Sequence, residues 1–265
     1  MIPIQILRVL STIRQHDVPA LLMGGQACVL YGAAEYSRDL DLAVLATDDA
    51  LPRLGRAMQT LSATVIAVPP FEPQFLARGH AVHFSVPAGP HLPDASPLRV
   101  DIMSRMRGVA PFEQLWERRT TIALPEPTSL ADVLADIMSL PDLVTAKKTQ
   151  RDKDWPMLRR LVDASYAAER EGQPGAEHVD FWLAELRSPV FLQDAVGRFS
   201  AAAARSDRRA VIAAREGGDI AQALADEQDS EMAADRTYWE PLRRELEALR
   251  YAARRLSGGE EPGAR

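Results

Sequence analysis

Residues 20–45 carry the sequence ALLMGGQACVLYGAAEYSRDLDLAVL. Two short apolar runs begin and end this segment, and small residues lie between them. The first run predicts a buried strand, which the glycine pair Gly24-Gly25 stops in a tight turn. The residues after the turn predict a short helix, and Leu40 to Leu45 predicts a second strand. The segment therefore predicts a strand–helix–strand unit of an α/β fold.

Two carboxylates flank Leu40 at the start of the second strand. Asp39 and Asp41 are at positions i and i+2, so in a strand their side chains share one face. Neighbouring carboxylates repel one another, and a cation between them removes that penalty. Oxygen ligands at this spacing suit Mg²⁺ or Mn²⁺. The spacing is equally typical of solvated charges at a strand end, so the pair alone leaves both interpretations open.

Two neighbouring features favour a functional site. Glycines between a strand and a helix leave the backbone bare, so that phosphate can approach the amides at Gly24 and Gly25. Downstream, Asp101 lies between apolar residues on a strand predicted over residues 98–103. A third strand carboxylate would either complete a two-metal site or act as the base for an attacking hydroxyl.

This combination resembles the nucleotidyltransferase superfamily of the DNA polymerase β type. The signature of that superfamily is a hydrophobic residue, Gly-Gly or Gly-Ser, a spacer, Asp-hydrophobe-Asp, and a later Asp on a strand. Here Gly24-Gly25 is followed by a spacer of thirteen residues, then Asp39-Leu40-Asp41, with Asp101 as the third element. The resemblance implies that Asp39, Asp41 and Asp101 bind the metal ions and carry the chemistry.

Residues 20–160 further resemble the AbiEii branch of toxins, which includes the MenT toxins. Members often carry Arg-x-Thr/Ser-x-Asp-x-Asp around the carboxylate pair. Ser37 matches the Thr/Ser position, whereas Glu35 stands at the Arg position. Arg38 is no simple replacement, because as a neighbour of Ser37 in an extended strand it would face the other way.

The lysines form a second distinctive group. The chain has 31 basic residues, of which only Lys147, Lys148 and Lys153 are lysine. The same branch shares a helix reading Asp-Leu-Ile-x-x-Lys, which Asp142 to Lys147 resembles. If a predicted helix over residues 143–149 continues, Lys147 and Arg151 share one face as i and i+4.

The branch resemblance assigns this segment to the nucleotide. It implies that Lys147 contacts phosphate, that Asp154 orients it or the acceptor, and that an ammonium and a guanidinium grip a triphosphate. The alternative is a solvated, charged helix end, and Lys148 is predicted to be a surface residue. The nucleotide-binding residues that the resemblance implies are Gly24, Gly25, Ser37, Lys147, Arg151, Lys153 and Asp154.

Composition narrows the class of protein. The net charge of -6 excludes a generally basic nucleic-acid coat, though a local basic patch is compatible with it. Cys28 is the only cysteine, so no intrachain disulfide can form. The N-terminus lacks the features of a signal peptide, and no apolar run reaches the roughly 18–20 residues of a membrane span. These features predict a cytoplasmic protein without a membrane partner.

The chain is predicted to have two parts. Residues 1–172 form a nucleotidyltransferase-like α/β (α+β) domain, with a small mixed sheet flanked by helices and a helical region closing the site. A Gly/Pro linker leads to residues 173–265, predicted as a helical C-terminal module with a frayed tail. Residues 129–138 are predicted as a further helix. His80 and His83 do not favour zinc, because i and i+3 on a strand face opposite sides, and His83 is predicted to be a packed or substrate-side histidine.

The predicted function is metal-dependent nucleotidyl transfer. A nucleoside monophosphate would move from an NTP such as ATP to an acceptor hydroxyl with Mg²⁺ or Mn²⁺ as cofactor. The resemblance implies tRNA or a protein as acceptor, a role in toxin–antitoxin or phage-defence systems, and a cognate antitoxin as partner. Two alternatives stay open: a catalytically inactive protein that binds nucleotide or a partner, supported by Glu35, and an antibiotic-type enzyme acting on a small cationic molecule, which suits the acidic charge.

Overall fold

The computed structural model describes residues 2–89, 96–125 and 132–257. It is an α/β structure that divides into two compact units, each built from separate stretches of chain. Unit 1 comprises Met1–Ala27, Tyr36–Ser139 and Trp239–Arg265, and unit 2 comprises Cys28–Glu35 and Leu140–Tyr238. The boundary predicted after residue 172 lies inside unit 2. Among the described residues, no helix combines the length and the apolar character that a membrane span requires.

The described residues of unit 1 include a mixed sheet of seven strands, in the order β3-β4-β5-β2-β1-β7-β6. The central strands β2 and β5 pair in parallel, and β2 also pairs with β1 in the antiparallel sense. The strand bounds are β1 Ala20–Met23, β2 Leu40–Val44, β3 Thr64–Val65, β4 Val82–Val86, β5 Leu98–Met103, β6 Thr120–Leu124 and β7 Val133–Ile137.

Helices cover the sheet of unit 1 with their apolar faces. α1 packs against β7 and α3, and it buries residues at helical spacing, among them Ile6, Leu10 and Ile13. In the C-terminal stretch of the unit, Glu245 Oε2 lies 2.9 Å from His80 Nε2. The helices are α1 Ile4–Gln15, α3 Ala50–Thr60, α4 Pro73–Arg78 and α5 Phe112–Glu117, and α2 Gly24–Leu30 starts in unit 1 and ends in unit 2.

The described residues of unit 2 form helices joined by turns, with no strand among them. Its core contains Trp182 and Tyr166, both fully buried, with ring centroids 5.3 Å apart in an edge-to-face arrangement. The helices are α6 Leu140–Ala146, α7 Asp154–Glu169, α8 Ala176–Glu185, α9 Pro189–Arg198, α10 Ser200–Ala203, α11 Arg209–Glu216 and α12 Ile220–Ser257, the last of which continues into unit 1.

The predicted α/β class, with a mixed sheet flanked by helices and a helical C-terminal part, is confirmed. The helix predicted over residues 129–138 is wrong in its described part, because Val133–Ile137 forms β7. Buried and more accessible residues alternate along β7, and it pairs with β1 and β6 on its two sides. Residues 129–131 of that predicted helix and most of the predicted C-terminal tail lie outside the described residues.

Replacing Trp182 by alanine should lower the free energy of unfolding by about 3–5 kcal/mol, because the change leaves a large cavity in the core of unit 2. It also removes the hydrogen bond that the indole donates to Ser165 Oγ. The matched control is Val190→Ala, since the Val190 side chain is exposed and its loss should change stability by less than about 0.5 kcal/mol. Urea denaturation followed by far-UV circular dichroism measures both values. Similar losses for the two variants would contradict this assignment of the core.

Candidate functional site

The strand register brings three predicted or candidate site residues side by side. Asp41 on β2 pairs directly with Asp101 on β5, and Asp101 pairs with His83 on β4. Side chains of directly paired residues lie on the same face of a sheet. Asp39 lies in the bend just before β2, and its charge, like that of Asp41, raises the pKa of Arg99 on β5, so Asp39 is close to the same place. We call Asp39, Asp41, Asp101 and His83 the carboxylate row.

Asp101 is held by two neighbours within this row. Its Oδ1 lies 2.8 Å from His83 Nδ1 and accepts a hydrogen bond of 2.8 Å from Arg99 Nε. An ionised carboxylate only accepts, so His83 Nδ1 is the donor in this contact, and Arg99 Nη2 lies 3.1 Å from the same Nδ1. Burial acts to raise the pKa of Asp101, but the hydrogen bonds from His83 and Arg99 outweigh it, and the pKa falls below its usual value. Asp101 is therefore ionised at neutral pH.

Arg99 places a positive charge among the carboxylates. It lies two positions before Asp101 on β5 and thus on the same face of the sheet. The hydrogen bond to Asp101 is the main cause that raises the pKa of Arg99, and the charges of Asp101, Asp39 and Asp41 add to it. The guanidinium thus offsets part of the repulsion between the three carboxylates.

The glycine turn is packed tightly against the carboxylate row. Gly24 has a φ of 65°, and a Cβ built on it would overlap the Asp41 carboxylate and lie 2.6 Å from Asp41 Cβ. A Cβ on Gly25 would overlap Ser37 Oγ and lie 2.9 Å from Ser37 Cβ. The Gly25 amide also donates to Asp41 Oδ2 over 3.3 Å. The structure thus supplies a reason for both glycines besides phosphate approach: Asp41 and Ser37 occupy the space that side chains would need.

Ser37 belongs to the same packed corner. Its hydroxyl donates to the backbone oxygen of Asp39 over 3.3 Å, and its own backbone oxygen accepts from Gln26 Nε2 over 2.8 Å. These contacts fix the approach of the chain to β2. The predicted residues Gly24, Gly25, Ser37, Asp39, Asp41 and Asp101 therefore come together in unit 1.

The donors of the carboxylate row fit a hard divalent cation in their chemistry, because Asp39, Asp41 and Asp101 offer carboxylate oxygens on adjacent strands. In the described part of the chain, however, no group of three or more His, Cys, Asp or Glu side chains is arranged to hold a metal. Asp101 Oδ1 is engaged by Arg99 and His83, and Asp41 Oδ2 accepts from the Gly25 amide.

The lysine segment lies in unit 2, where Asp154 is the centre of its contacts. Lys147 Nζ donates to Asp154 Oδ1 over 3.3 Å, and Thr149 Oγ1 and Arg151 Nε donate to Oδ2 over 2.6 and 2.9 Å. Only 10% of the Lys147 side chain and 4% of the Asp154 side chain are exposed. Burial acts to raise the pKa of Asp154, but the charge of Lys147 and the bonds from its neighbours hold it below its usual value.

Two predictions about this segment are wrong. The helix predicted over residues 143–149 ends at Ala146, so Lys147 and Arg151 do not share a helix face. They meet because residues 147–153 form turns around Asp154. Lys148 is not a surface residue, since its Nζ donates to Glu185 Oε1 over 2.6 Å and only 14% of its side chain is exposed. Lys153 is exposed at the start of α7.

The roles of Arg99 and His83 beside Asp101 are not predicted from the sequence. Arg99 lies two residues before Asp101 and is given no role in the sequence analysis. The period of two along a strand nevertheless places both side chains on one face of β5. His83 is predicted as a packed or substrate-side histidine, and the structure pairs it with Asp101. The alternation along β4 locates His83 on one face, but only the order of the strands shows that Asp101 is its neighbour.

The sequence and the structure were compared with those of known proteins. The sequence matches no family model, and no curated protein matches it significantly. The chain is similar to a solved structure described as an antigenic nucleotidyltransferase-like protein from Paracoccidioides brasiliensis, with 14% sequence identity and a TM-score of 0.39. The similarity covers 83% of this chain and 93% of that chain.

Gly24→Ala should destabilise the protein more than Gly32→Ala. Both glycines have positive φ, at 65° and 75°, so each substitution costs about 1–2 kcal/mol of backbone strain. Only at Gly24 does the new Cβ also overlap Asp41, which should add about 1–3 kcal/mol, because nothing lies within 4 Å of a Cβ on Gly32. Urea denaturation of both variants isolates the contact with Asp41. Equal losses would show that Asp41 does not occupy the glycine turn.

Asp154→Asn should lower the free energy of unfolding at pH 7 by about 3–5 kcal/mol, because it leaves buried Lys147 without a counter-charge. Folding lowers the pKa of Asp154, so its contribution is complete above the ordinary Asp pKa of about 4 and disappears as the pH falls through the lowered value. The difference between wild type and variant should therefore shrink on acidification.

The measurement is urea denaturation between pH 7 and pH 3. Asp152→Asn is the matched control, because Asp152 is exposed in the same segment and its loss should change stability little at any pH. A difference between wild type and Asp154→Asn that stays constant with pH would contradict an ionised, buried Asp154.

Proposed function

We propose that this chain is a metal-dependent nucleotidyltransferase, which moves a nucleoside monophosphate from an NTP to an acceptor hydroxyl and releases pyrophosphate. The observation that carries the proposal is the pairing of Asp41 with Asp101 on parallel neighbouring strands, with Asp39 in the bend just before β2 and the Gly24-Gly25 turn against Asp41. Three carboxylates held close together are costly, and a cation-dependent reaction explains why they lie there.

The protein supplies orientation and charge in this proposal. Asp39, Asp41 and Asp101 would hold Mg²⁺ or Mn²⁺, which when bound lowers the pKa of the attacking hydroxyl and stabilises charge on the leaving pyrophosphate. The Gly25 amide orients the Asp41 carboxylate through its hydrogen bond. His83, on the strand at the other edge of β5 from Asp41, fixes the Asp101 carboxylate by its contact with Oδ1. Ser37, Gly24 and Gly25 are the proposed phosphate contacts in unit 1.

The predicted nucleotide contacts of the lysine segment stay a prediction. Arg151 and Lys153 are exposed, which suits contact with phosphate. Lys147 is enclosed and already paired with Asp154, so its primary contribution is to hold the turn between α6 and α7. Within the proposal, Lys147 and Asp154 would act mainly by positioning the exposed Arg151.

The acceptor and the biological role are further parts of the proposal. The resemblance of the motifs favours tRNA or a protein hydroxyl, ATP among the NTP donors, and a toxin or phage-defence role with an antitoxin partner. A small cationic acceptor suits the net charge of -6. One observation favours a second function, a non-catalytic nucleotide- or partner-binding protein: Asp101 is engaged by Arg99 and His83 rather than left open to a metal.

The test is transfer of label from each radiolabelled NTP in the presence of Mg²⁺. Total tRNA, a protein extract and an aminoglycoside are offered as separate acceptors. Asp41→Asn should reduce transfer by about 100-fold or more, the scale on which loss of one electrostatic group slows an enzyme. Asp48→Asn, which changes an exposed carboxylate after β2, should leave transfer unchanged. Equal transfer by wild type and Asp41→Asn, or NTP binding without transfer to any acceptor, would contradict the enzyme and favour the binding protein.

A further inference from the structure

We propose that Arg99 is a built-in counter-cation of the carboxylate row, and that a divalent cation reaches Asp101 only when the Arg99 guanidinium leaves it. The inference deepens the proposed function, on which it rests by taking Asp39, Asp41 and Asp101 as the metal ligands. It assigns to Arg99 control over how tightly the protein binds metal before any nucleotide is present.

The strand register places Arg99 where such a competitor must lie. Asp41 pairs with Asp101 and Leu40 pairs with Val100, and Arg99 lies one position before this paired stretch, close enough to Asp39 for the charge of Asp39 to raise the pKa of Arg99. Arg99 and Asp101 share a face of β5, and Arg99 Nε donates to Asp101 Oδ1 over 2.8 Å. One guanidinium thus stands on the same face as Asp41 and Asp101, and close to Asp39.

Arg99 and a metal ion repel each other if both are bound to the Asp101 carboxylate. A divalent ion bound to Asp101 would stand a few ångströms from the guanidinium, and like charges that close repel strongly where the surroundings are partly buried. Asp101 fits this condition, since 16% of its side chain is exposed. His83 Nδ1 contacts the same Oδ1 that accepts from Arg99, so a metal ion at this oxygen would have to displace one of the two.

Arg99 is the cation that can move. Its side chain is 46% exposed, against 22% for His83, so the guanidinium can rotate into water without leaving a buried donor unpaired. An arginine keeps its charge at any physiological pH, so the competition depends on metal concentration and not on protonation. The free protein should therefore bind Mg²⁺ weakly.

The deciding experiment is calorimetric titration of Mg²⁺, and separately Mn²⁺, into wild type and Arg99→Gln without nucleotide. Arg99→Gln should bind metal about 10-fold more tightly, within the usual range of coupling between competing ligands. Arg119→Gln is the matched control, because Arg119 Nε pairs with Asp136 on β7 of the same sheet over 3.0 Å. It removes the same charge and should leave metal affinity at the wild-type value.

A second measurement uses the wild-type protein, in case Arg99→Gln does not fold. In ¹⁵N spectra of the arginine Nε–H groups, the Arg99 signal is assigned by its absence from Arg99→Lys. It should shift when Mg²⁺ saturates the protein, because the hydrogen bond to Asp101 is lost, while the Arg119 signal should stay in place. An unchanged Arg99 signal at saturation would overturn the inference.

The outcomes separate the inference from the proposed function. If wild type and folded Arg99→Gln bind metal with equal affinity, Arg99 is no competitor, and the proposed nucleotidyltransferase stands without it. If Arg119→Gln tightens binding as much as Arg99→Gln, the effect is one of net charge and the inference fails. If no variant binds metal at millimolar Mg²⁺ or Mn²⁺, both the inference and the metal-dependent function are overturned.

Discussion

The parallel pairing of β2 with β5 is the constraint on which the site depends. This pairing sets Asp41 directly beside Asp101 in the middle of the sheet, and two carboxylates at that separation repel. The fold can keep them there only because positive or hydrogen-bonding groups are held against them. Arg99 and His83 provide those groups for Asp101, and the Gly25 amide provides one for Asp41.

The second constraint is steric and comes from the glycine turn. Asp41 occupies the space beside Gly24, so the turn between β1 and α2 and the carboxylate on β2 are parts of one packed corner. The Asp41 carboxylate packs directly against the backbone of Gly24. Any residue with a side chain at position 24 would push Asp41 out of this place. Such tight support is what a site needs if its groups are to be held in place before a ligand arrives.

Much of this arrangement can be predicted from the sequence, and the errors have identifiable causes. The apolar runs and the glycine pair predict β1 and β2, and the period of two places Asp39 and Asp41 on one face. The helix predicted in place of β7 is wrong, because a short segment containing Leu134, Ala135 and Met138 suits either structure when its neighbours are unknown. The helix predicted to contain Lys147 is too long, since the turns around Asp154 depend on contacts between side chains.

The sequence alone determined which residue types are available: the carboxylates, the glycine pair, and three lysines within one short segment. Local spacing is enough for this, because the period of a strand or helix decides which side chains share a face. Only the tertiary structure decided which residues are neighbours. Strand order brought His83 to Asp101, and burial made Lys147 the partner of Asp154. Pairing between distant strands depends on the packing of the whole sheet, which no local pattern contains.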